Sequence, residues 1–274
     1  MNRPQLFRAG KALLVPGRLS VPNYDPETYW SRVAEEIQKR GENYVAGDDN
    51  PYYRYKRRKF LKNFLDTIDF RSKTVLELGF GPGGNLKHIA TRHVPGKIYG
   101  ADISPKMIEV ATKNLSMHDA DLVKIDGASL PYPDHTVDIS FTVTVLQHNL
   151  DEKTFRCLVK ELARVTKRTV VVMEDVRKNQ MNTADWIGRP VDTYRSAFAE
   201  CGYKLSSVRF LNTKISRSWY EFVHRRFVSR RHHEGDPISL RVKYLIGLPI
   251  PITSRLDDIF VEEASLAKMT FERT

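Results

Sequence analysis

The stretch that most restricts the fold of this chain runs from Thr74 to Asn85, Thr-Val-Leu-Glu-Leu-Gly-Phe-Gly-Pro-Gly-Gly-Asn. Thr74 to Glu77 reads as a buried strand. Glycines crowd at Gly79, Gly81, Gly83 and Gly84, and Leu86, Ile89, Ala90 and Val94 then recur at helical spacing. Strand, glycine turn and helix N-terminus together make a nucleotide-binding corner. Glycine suits it because the chain turns sharply and its backbone must approach a ligand closely. Gly79-Phe-Gly81-Pro-Gly83-Gly84 also satisfies the G-x-G-x-x-G dinucleotide fingerprint, so this pattern alone does not choose the ligand.

Three carboxylates narrow the choice. Glu77 stands two residues before the first glycine, Asp102 ends a strand-like run from Lys97, and Asp126 ends another from Asp121 and precedes Gly127. Either aspartate alone reads as a turn residue or helix cap. Asp102-Ile103-Ser104-Pro105 does lead into a helix, with Ser104 capping and Pro105 at its first position. Taken together and in order at strand ends, they read as ligand contacts. At this point the chain resembles the class I S-adenosylmethionine (SAM) dependent methyltransferases, closest to the group that includes the ubiquinone/menaquinone-type enzymes. The resemblance extends over about residues 73–203, through Leu130-Pro131-Tyr132-Pro133-Asp134, Val137-Asp138-Ile139 and Val145-Leu146-Gln147-His148.

The resemblance implies an α/β fold: a Rossmann-like, seven-stranded, mostly parallel sheet with its last strand antiparallel, flanked by helices. It implies SAM as cofactor, S-adenosylhomocysteine (SAH) as product, and cofactor contacts from Glu77, Gly79, Gly81, Gly83, Asp102, Ile103, Asp126, Gly127 and Thr142. The chemistry is consistent with this. A carboxylate ending the second strand can accept both ribose hydroxyls, one ending the third can accept from the adenine amino group, and Glu77 lies near the methionine ammonium. SAM carries a sulfonium and no phosphate, so a carboxylate-lined site suits it better than a pyrophosphate, which prefers bare amides at a helix N-terminus. A nicotinamide reading lacks a hydride-transfer pair, since Tyr52-x-x-x-Lys56 precedes the glycine corner.

The chain has 274 residues and a formal net charge of +11, enough length for a sizeable core. Basic residues cluster at Lys56, Arg57, Arg58, Lys59 and Lys62, and again at Arg217, Arg225, Arg226, Arg230 and Arg231. Such a balance fits an anionic partner, whether nucleic acid, lipid surface or phosphorylated substrate, and equally a merely soluble basic protein. Two cysteines, Cys157 and Cys201, make no disulfide framework and point to a reducing, cytoplasmic setting. No signal peptide or membrane span is legible.

The expected organisation is an N-terminal arm and helical lid at residues 1–70, a SAM-binding core at 71–211, a helical cap insertion at 212–264, and the last core strand at 265–274. The helix from Pro51 admits two readings. Either Tyr52, Arg54 or Tyr55 touches the cofactor's carboxylate or the substrate, or the helix is an ordinary amphipathic one with its tyrosines in the core. The segment after residue 211 also admits two: a cap over the active site, or a penultimate strand at Trp219 to Phe227 followed by a tail.

His148 is the candidate general base, following the fourth strand and able to titrate near neutrality, although a histidine near a helix start has structural uses as well. Glu174 and Asp175 are secondary candidates. His232-His233 has no partner at ligand spacing, so no metal is expected. Asn/Asp-Pro-Pro-Tyr/Phe is absent after the fourth strand, and neither cysteine sits in a Pro-Cys or Thr-Cys context. Nucleic-acid amino and pyrimidine C5 methylation are therefore disfavoured. That leaves a small-molecule, glycan or lipid-linked acceptor methylated on O or N. RNA is the alternative, and a non-catalytic SAM-binding partner protein a third.

Overall fold

The computed structural model describes residues 24–39, 41, 45, 50–229, 237–260 and 262–274. The N-terminal arm, most of the 41–51 loop, Arg230, Arg231, His232 and His233 lie outside the described residues.

Helices α1 (Pro26–Lys39) and α2 (Pro51–Asn63) lead through a 3-10 turn at Leu65–Thr67 into β1 (Thr74–Leu78). Then follow α3 (Gly84–Arg92), β2 (Lys97–Asp102), α4 (Pro105–Asn114), β3 (Ala120–Lys124), β4 (Val137–Val143) and a 3-10 turn at Leu146–His148. The chain continues with α5 (Glu152–Val165), β5 (Thr166–Asp175), a two-residue-per-strand hairpin β6 (Met181–Asn182) and β7 (Ile187–Gly188), α6 (Val191–Ala199) and β8 (Tyr203–Phe210). Helices α7 (Lys214–Phe227), α8 (Leu240–Gly247) and α9 (Ile250–Leu256) precede the final strand β9 (Leu266–Arg273).

The seven-stranded sheet has the order β3-β2-β1-β4-β5-β9-β8. Strands β1 to β5 pair in parallel, and β9 runs antiparallel to both β5 and β8. The central strands are apolar on both faces, as parallel strands covered by helices must be. One face packs Leu76, Val170 and Val172 against Phe155, Leu162 and Phe198 of α5 and α6. The other packs Val75, Phe141 and Val171 against Phe64, Leu86 and Ile89. Helix starts follow the cap rules: Ser104 Oγ accepts from Met107 N at 3.2 Å and Asp151 from Thr154 N at 2.8 Å, each worth about 1 kcal/mol.

Several expectations shift. The sequence pattern suggests a fourth strand from Asp134 to Val143, but the strand starts at Val137, because Leu130 to Asp134 is a loop held by Arg164, which donates to the carbonyls of Leu130 and Tyr132 and to Asp134. Trp219 to Phe227 is helical, which removes the alternative strand. Helix α9 holds Pro251 in its first turn, where proline's missing N–H has no partner to lose.

The described residues of 212–264 include three helices that pack on α2. Tyr52 and Tyr55 cluster there with Val223, Ile238, Val242 and Ile246. The Tyr55 hydroxyl donates to Asp257 Oδ2 at 2.9 Å, and Tyr52 Oη lies 3.3 Å from Thr213 Oγ1. Asp257 is buried and also accepts from the amides of Ile215 and Ser216. On the other side of the sheet's upper edge, α1 lays Val33, Ala34 and Ile37 against Met107 and Val110 of α4.

Candidate functional site

A cavity of about 580 Å³ opens at the C-terminal ends of β1, β2, β3 and β4. That edge is where open α/β sheets bind ligands. Its lining brings together eight of the residues singled out from sequence: Glu77, Gly79, Gly81, Asp102, Ile103, Asp126, Gly127 and His148. Two others stay outside. Gly83 begins α3 at φ +79°, and a Cβ there would meet Ala111 at 3.0 Å, so it serves helix packing. Thr142 is fully buried in β4. It shares a face with Ser140, away from Phe141, while Val143, Thr144 and Val145 reach the cavity instead. Thr144 itself sits at φ +55°, a strained backbone for a β-branched residue, at the turn leaving β4.

Gly79 and Gly81, both in the cavity lining, do different work. Gly79 has φ +71°, and a Cβ on it would collide with the Val145 side chain. Gly81 has φ +52°, and a Cβ on it would meet no protein atom within 4 Å. Its open side is therefore room for a ligand brought against bare backbone.

Glu77 ends β1 almost wholly buried. Its Oε1 accepts from Asn85 Nδ2 at 2.7 Å, while Oε2 is buried with no hydrogen-bond partner. Burial pushes its carboxyl up to about 8, against the Asn85 bond and the Arg57 charge. Arg57, from α2, donates to Asn85 Oδ1, and burial draws its guanidinium down to about 10 against the pull of Glu77. Asp102 accepts from Gly81 N at 2.8 Å and Ser104 N at 2.9 Å, and burial holds it up at about 6 despite both bonds. Asp126 is exposed and accepts from Ala128 N and Ser129 N at 2.9 and 3.0 Å, which lowers its pKa. An orphaned carboxylate oxygen and carboxyls raised by burial fit a cationic ligand, which would relieve both.

Helix periodicity explains what sequence reasoning missed on α2. Tyr53, Lys56, Arg57 and Phe60 recur at i, i+3, i+4 and i+7 and line the cavity. Tyr52 and Tyr55 face the opposite way, into the cap cluster. The signal was present in the spacing, but nothing in sequence said which face met the corner. Within residues 212–264, no described residue lines the cavity.

His148 lines the cavity, nearly buried, with Trp30 of α1 edge-on at 5.2 Å. Its Nδ1 lies 2.8 Å from the Asp185 carbonyl, which requires Nδ1–H as donor. Independently, Gln147 Oε1 accepts from Asp175 N at 2.9 Å, so the Gln147 amide turns its NH2 toward His148 Nε2, 3.3 Å away. Both contacts select the same tautomer, with an acceptor lone pair on Nε2. Glu174, the secondary candidate, is buried and accepts from the amides of Val145, Leu146 and Gln147 at 2.9 to 3.2 Å. It shapes the loop, and burial raises its carboxyl to about 8. Arg189 completes that loop, donating to the Leu146 and Asn149 carbonyls at 3.0 and 2.8 Å beneath Phe155. Asp175 also reaches the cavity.

Away from the cavity, Asp66, His88 and His93 converge. Both imidazole Nε2 atoms face Asp66 Oδ1, at 2.6 and 3.1 Å, so the group is already joined by hydrogen bonds.

Strand order, glycine corner and carboxylate-lined cavity define a Rossmann-like methyltransferase fold. Residues 75–169 match the family described as a methyltransferase domain. That match and the fold are consistent with a class I methyltransferase domain over this stretch, of the kind that uses SAM as cofactor. Among curated proteins it is similar to ajmaline N-methyltransferase of Rauvolfia serpentina, 24% identical over 42% of this chain and 40% of that one. The chain matches less than half the length of this and the other curated relatives. Among solved structures it is similar to the [4+2]-cyclase SpnF, with TM-score 0.61 and 15% identity over 90% of this chain and 95% of that one. It is also similar to Haemonchus contortus phosphoethanolamine N-methyltransferase 2, solved with phosphomonomethylethanolamine and SAH, with TM-score 0.57 and 13% identity over 90% of this chain and 58% of that one. Those two likenesses establish the fold. No helix of the described residues is long and apolar enough to cross a membrane.

Proposed function

We propose that this protein is a cytoplasmic enzyme that moves the methyl group of SAM to an oxygen or nitrogen of a small-molecule, glycan or lipid-linked acceptor. The observation that carries the reading is the charge plan of the cavity. Three carboxylates line the cavity at the ends of neighbouring strands, Glu77 one residue before the end of β1, Asp102 at the end of β2 and Asp126 in the loop just after β3, and Arg57 faces the first of them across Asn85. A zwitterionic amino-acid tail needs such a pair: Glu77 Oε2 for its ammonium, Arg57 for its carboxylate. Asp102 then takes the ribose hydroxyls and Asp126 the adenine amino group, with Ile103 and Gly127 against the purine.

SAM supplies an already activated methyl, so the protein's task is alignment and exclusion of water. Trp30, Tyr53, Lys56, Val145 and His148 line the remainder of the cavity and bound the acceptor's place. His148 Nδ1 donates to the Asp185 carbonyl, so the lone pair is on Nε2. Once an acceptor hydroxyl or ammonium displaces the 3.3 Å Gln147 N–H contact, that lone pair takes the acceptor's proton. The distant N-methyltransferase relatives favour nitrogen.

The test is methyl transfer from labelled SAM to acceptor pools, with small polar metabolites, glycan or lipid extract and RNA assayed separately. Labelling confined to RNA, with affinity falling steeply as salt rises, would favour the macromolecular alternative. SAH binding without transfer to any pool would leave a SAM-binding partner protein.

A further inference from the structure

The cap helices carry a surface that the methyl-transfer reading does not use. Of the eleven large apolar side chains exposed among the described residues, nine lie between Phe222 and Phe260. Leu240 is 83% exposed, Tyr244 67%, Leu248 64%, Ile252 67% and Ile259 69%. Helix α8 makes the point sharply. Val242 and Ile246 face inward onto α2 and α7, while Leu240, Tyr244 and Leu245 face outward. A helix that buries one apolar row and exposes a second one has apolar surface left for a partner or an apolar phase.

The polar residues of the same face are cationic. Arg225, Arg226 and Arg241 are exposed beside Phe222, Phe227 and Leu240. The described acidic groups of this segment each have a partner. Asp257 is buried and accepts from the amides of Ile215 and Ser216, Asp258 pairs with Lys59 at 2.6 Å, Glu262 pairs with Arg217 at 2.6 Å, Glu221 lies 3.8 Å from Arg217, and Glu263 lies 3.9 Å from Lys178. The described parts of α7 and α8 thus offer exposed apolar side chains interleaved with arginines.

We infer that the α7–α9 face docks on an anionic lipid bilayer, with Leu240, Leu248 and Ile252 entering the interface and Arg225, Arg226 and Arg241 meeting lipid headgroups. Interfacial helices bind in this way, through apolar area plus attraction to anionic lipid. A second copy of the chain fits less well, because like charges from both copies would be brought face to face. RNA would satisfy the arginines and leave the leucines in water. The inference stands apart from the methyl-transfer reading, since none of these residues lines the cavity.

The experiment is sedimentation of the full chain with phosphatidylcholine vesicles, with and without phosphatidylglycerol. Binding to the anionic vesicles alone, weakening with salt, is expected. Leu240→Glu/Leu248→Glu/Ile252→Glu should reduce it at least about tenfold, and Arg225→Glu/Arg226→Glu should reduce it most at low salt. SAH affinity by calorimetry and the far-UV spectrum should be unchanged in both variants, which separates lost docking from lost fold and keeps the donor site out of the result. Failure to bind anionic vesicles, or equal binding by the triple variant, overturns the proposal. So does a wild-type dimer that the triple variant makes monomeric, because the face would then join two copies. Salt-sensitive RNA binding with no vesicle binding overturns it too.

Discussion

Arg57→Met tests the charge plan of the cavity with the least disturbance elsewhere. Methionine keeps an unbranched apolar stem and gives up the guanidinium, whose carbon lies 5.5 Å from the Phe60 ring centre. The unliganded protein gains little from this cation, because burial draws it down to about 10 and its hydrogen bond goes to a neutral amide. Folding stability should therefore stay within about 1 kcal/mol of wild type. Binding is where the guanidinium counts. A charge-assisted hydrogen bond to a ligand carboxylate is worth about 2–3 kcal/mol, which at 1.4 kcal/mol per decade is a loss of roughly 30- to 140-fold in SAH affinity. The assay is calorimetry with two ligands, SAH and 5′-methylthioadenosine, which has the same nucleoside and thioether but no amino-acid tail. Only SAH should weaken. Equal losses for both ligands, or none for either, would refute the assignment of Arg57 to the tail.

Four further outcomes follow from the geometry. Glu77 has its folded pKa raised to about 8 from the ordinary 4.5, so its contribution to stability is fully present below 4.5 and lost as pH rises through 8. Glu77→Gln should remove that part of the pH slope in unliganded melts, and should abolish the gain in SAH affinity between pH 6 and 8 that an ammonium meeting an ionised Glu77 requires. Gly79→Ala must displace Val145 from a left-handed backbone and should cost about 2–5 kcal/mol in denaturant unfolding, whereas Gly81→Ala should cost only about 1–2 yet weaken SAH binding. His148→Ala should lower turnover about 100-fold or more with SAH affinity nearly unchanged; unaltered turnover retires it as the base. For Asp66, burial works to raise the carboxyl, but hydrogen bonds from His88 and His93 outweigh it and hold the pKa low. Asp66→Asn should cost about 1 kcal/mol at neutral pH, an effect that fades as pH falls through the lowered pKa of Asp66.

What was legible in sequence was local. Thr74 to Asn85 announced strand, turn and helix because glycine and apolar spacing report backbone shape directly. Asp102 and Asp126 were readable as strand-end carboxylates for the same reason. Roles set by distant partners were not readable. Glu174 looked like a free carboxylate beside the site until the loop after β4 folded its amides onto it. Thr142 was one residue from the cavity, which begins at Val143, and it is fully buried within β4. Tyr52 and Tyr55 were indistinguishable from Tyr53 without knowing that 212–264 would claim one side of α2. The hairpin β6–β7 has two residues per strand, too few for any period to register. Yet its connecting turn supplies the Asp185 carbonyl that sets the His148 tautomer.

The position of β9 has a consequence for how this molecule is made. It follows β8 and the cap helices in the chain, yet it lies between β5 and β8 in the sheet. Until it arrives, β8 has no strand to pair with, and both flanks of the vacant slot expose unmatched amides and carbonyls. A nascent chain can assemble β1 to β5, and the cofactor corner with them, well before the sheet can close. Closure is then a single late insertion, stitching Leu266 to Arg273 along two neighbours at once. Damage to this short segment should leave a chain with a formed donor pocket and two sticky sheet edges, a species prone to aggregate rather than simply unfold.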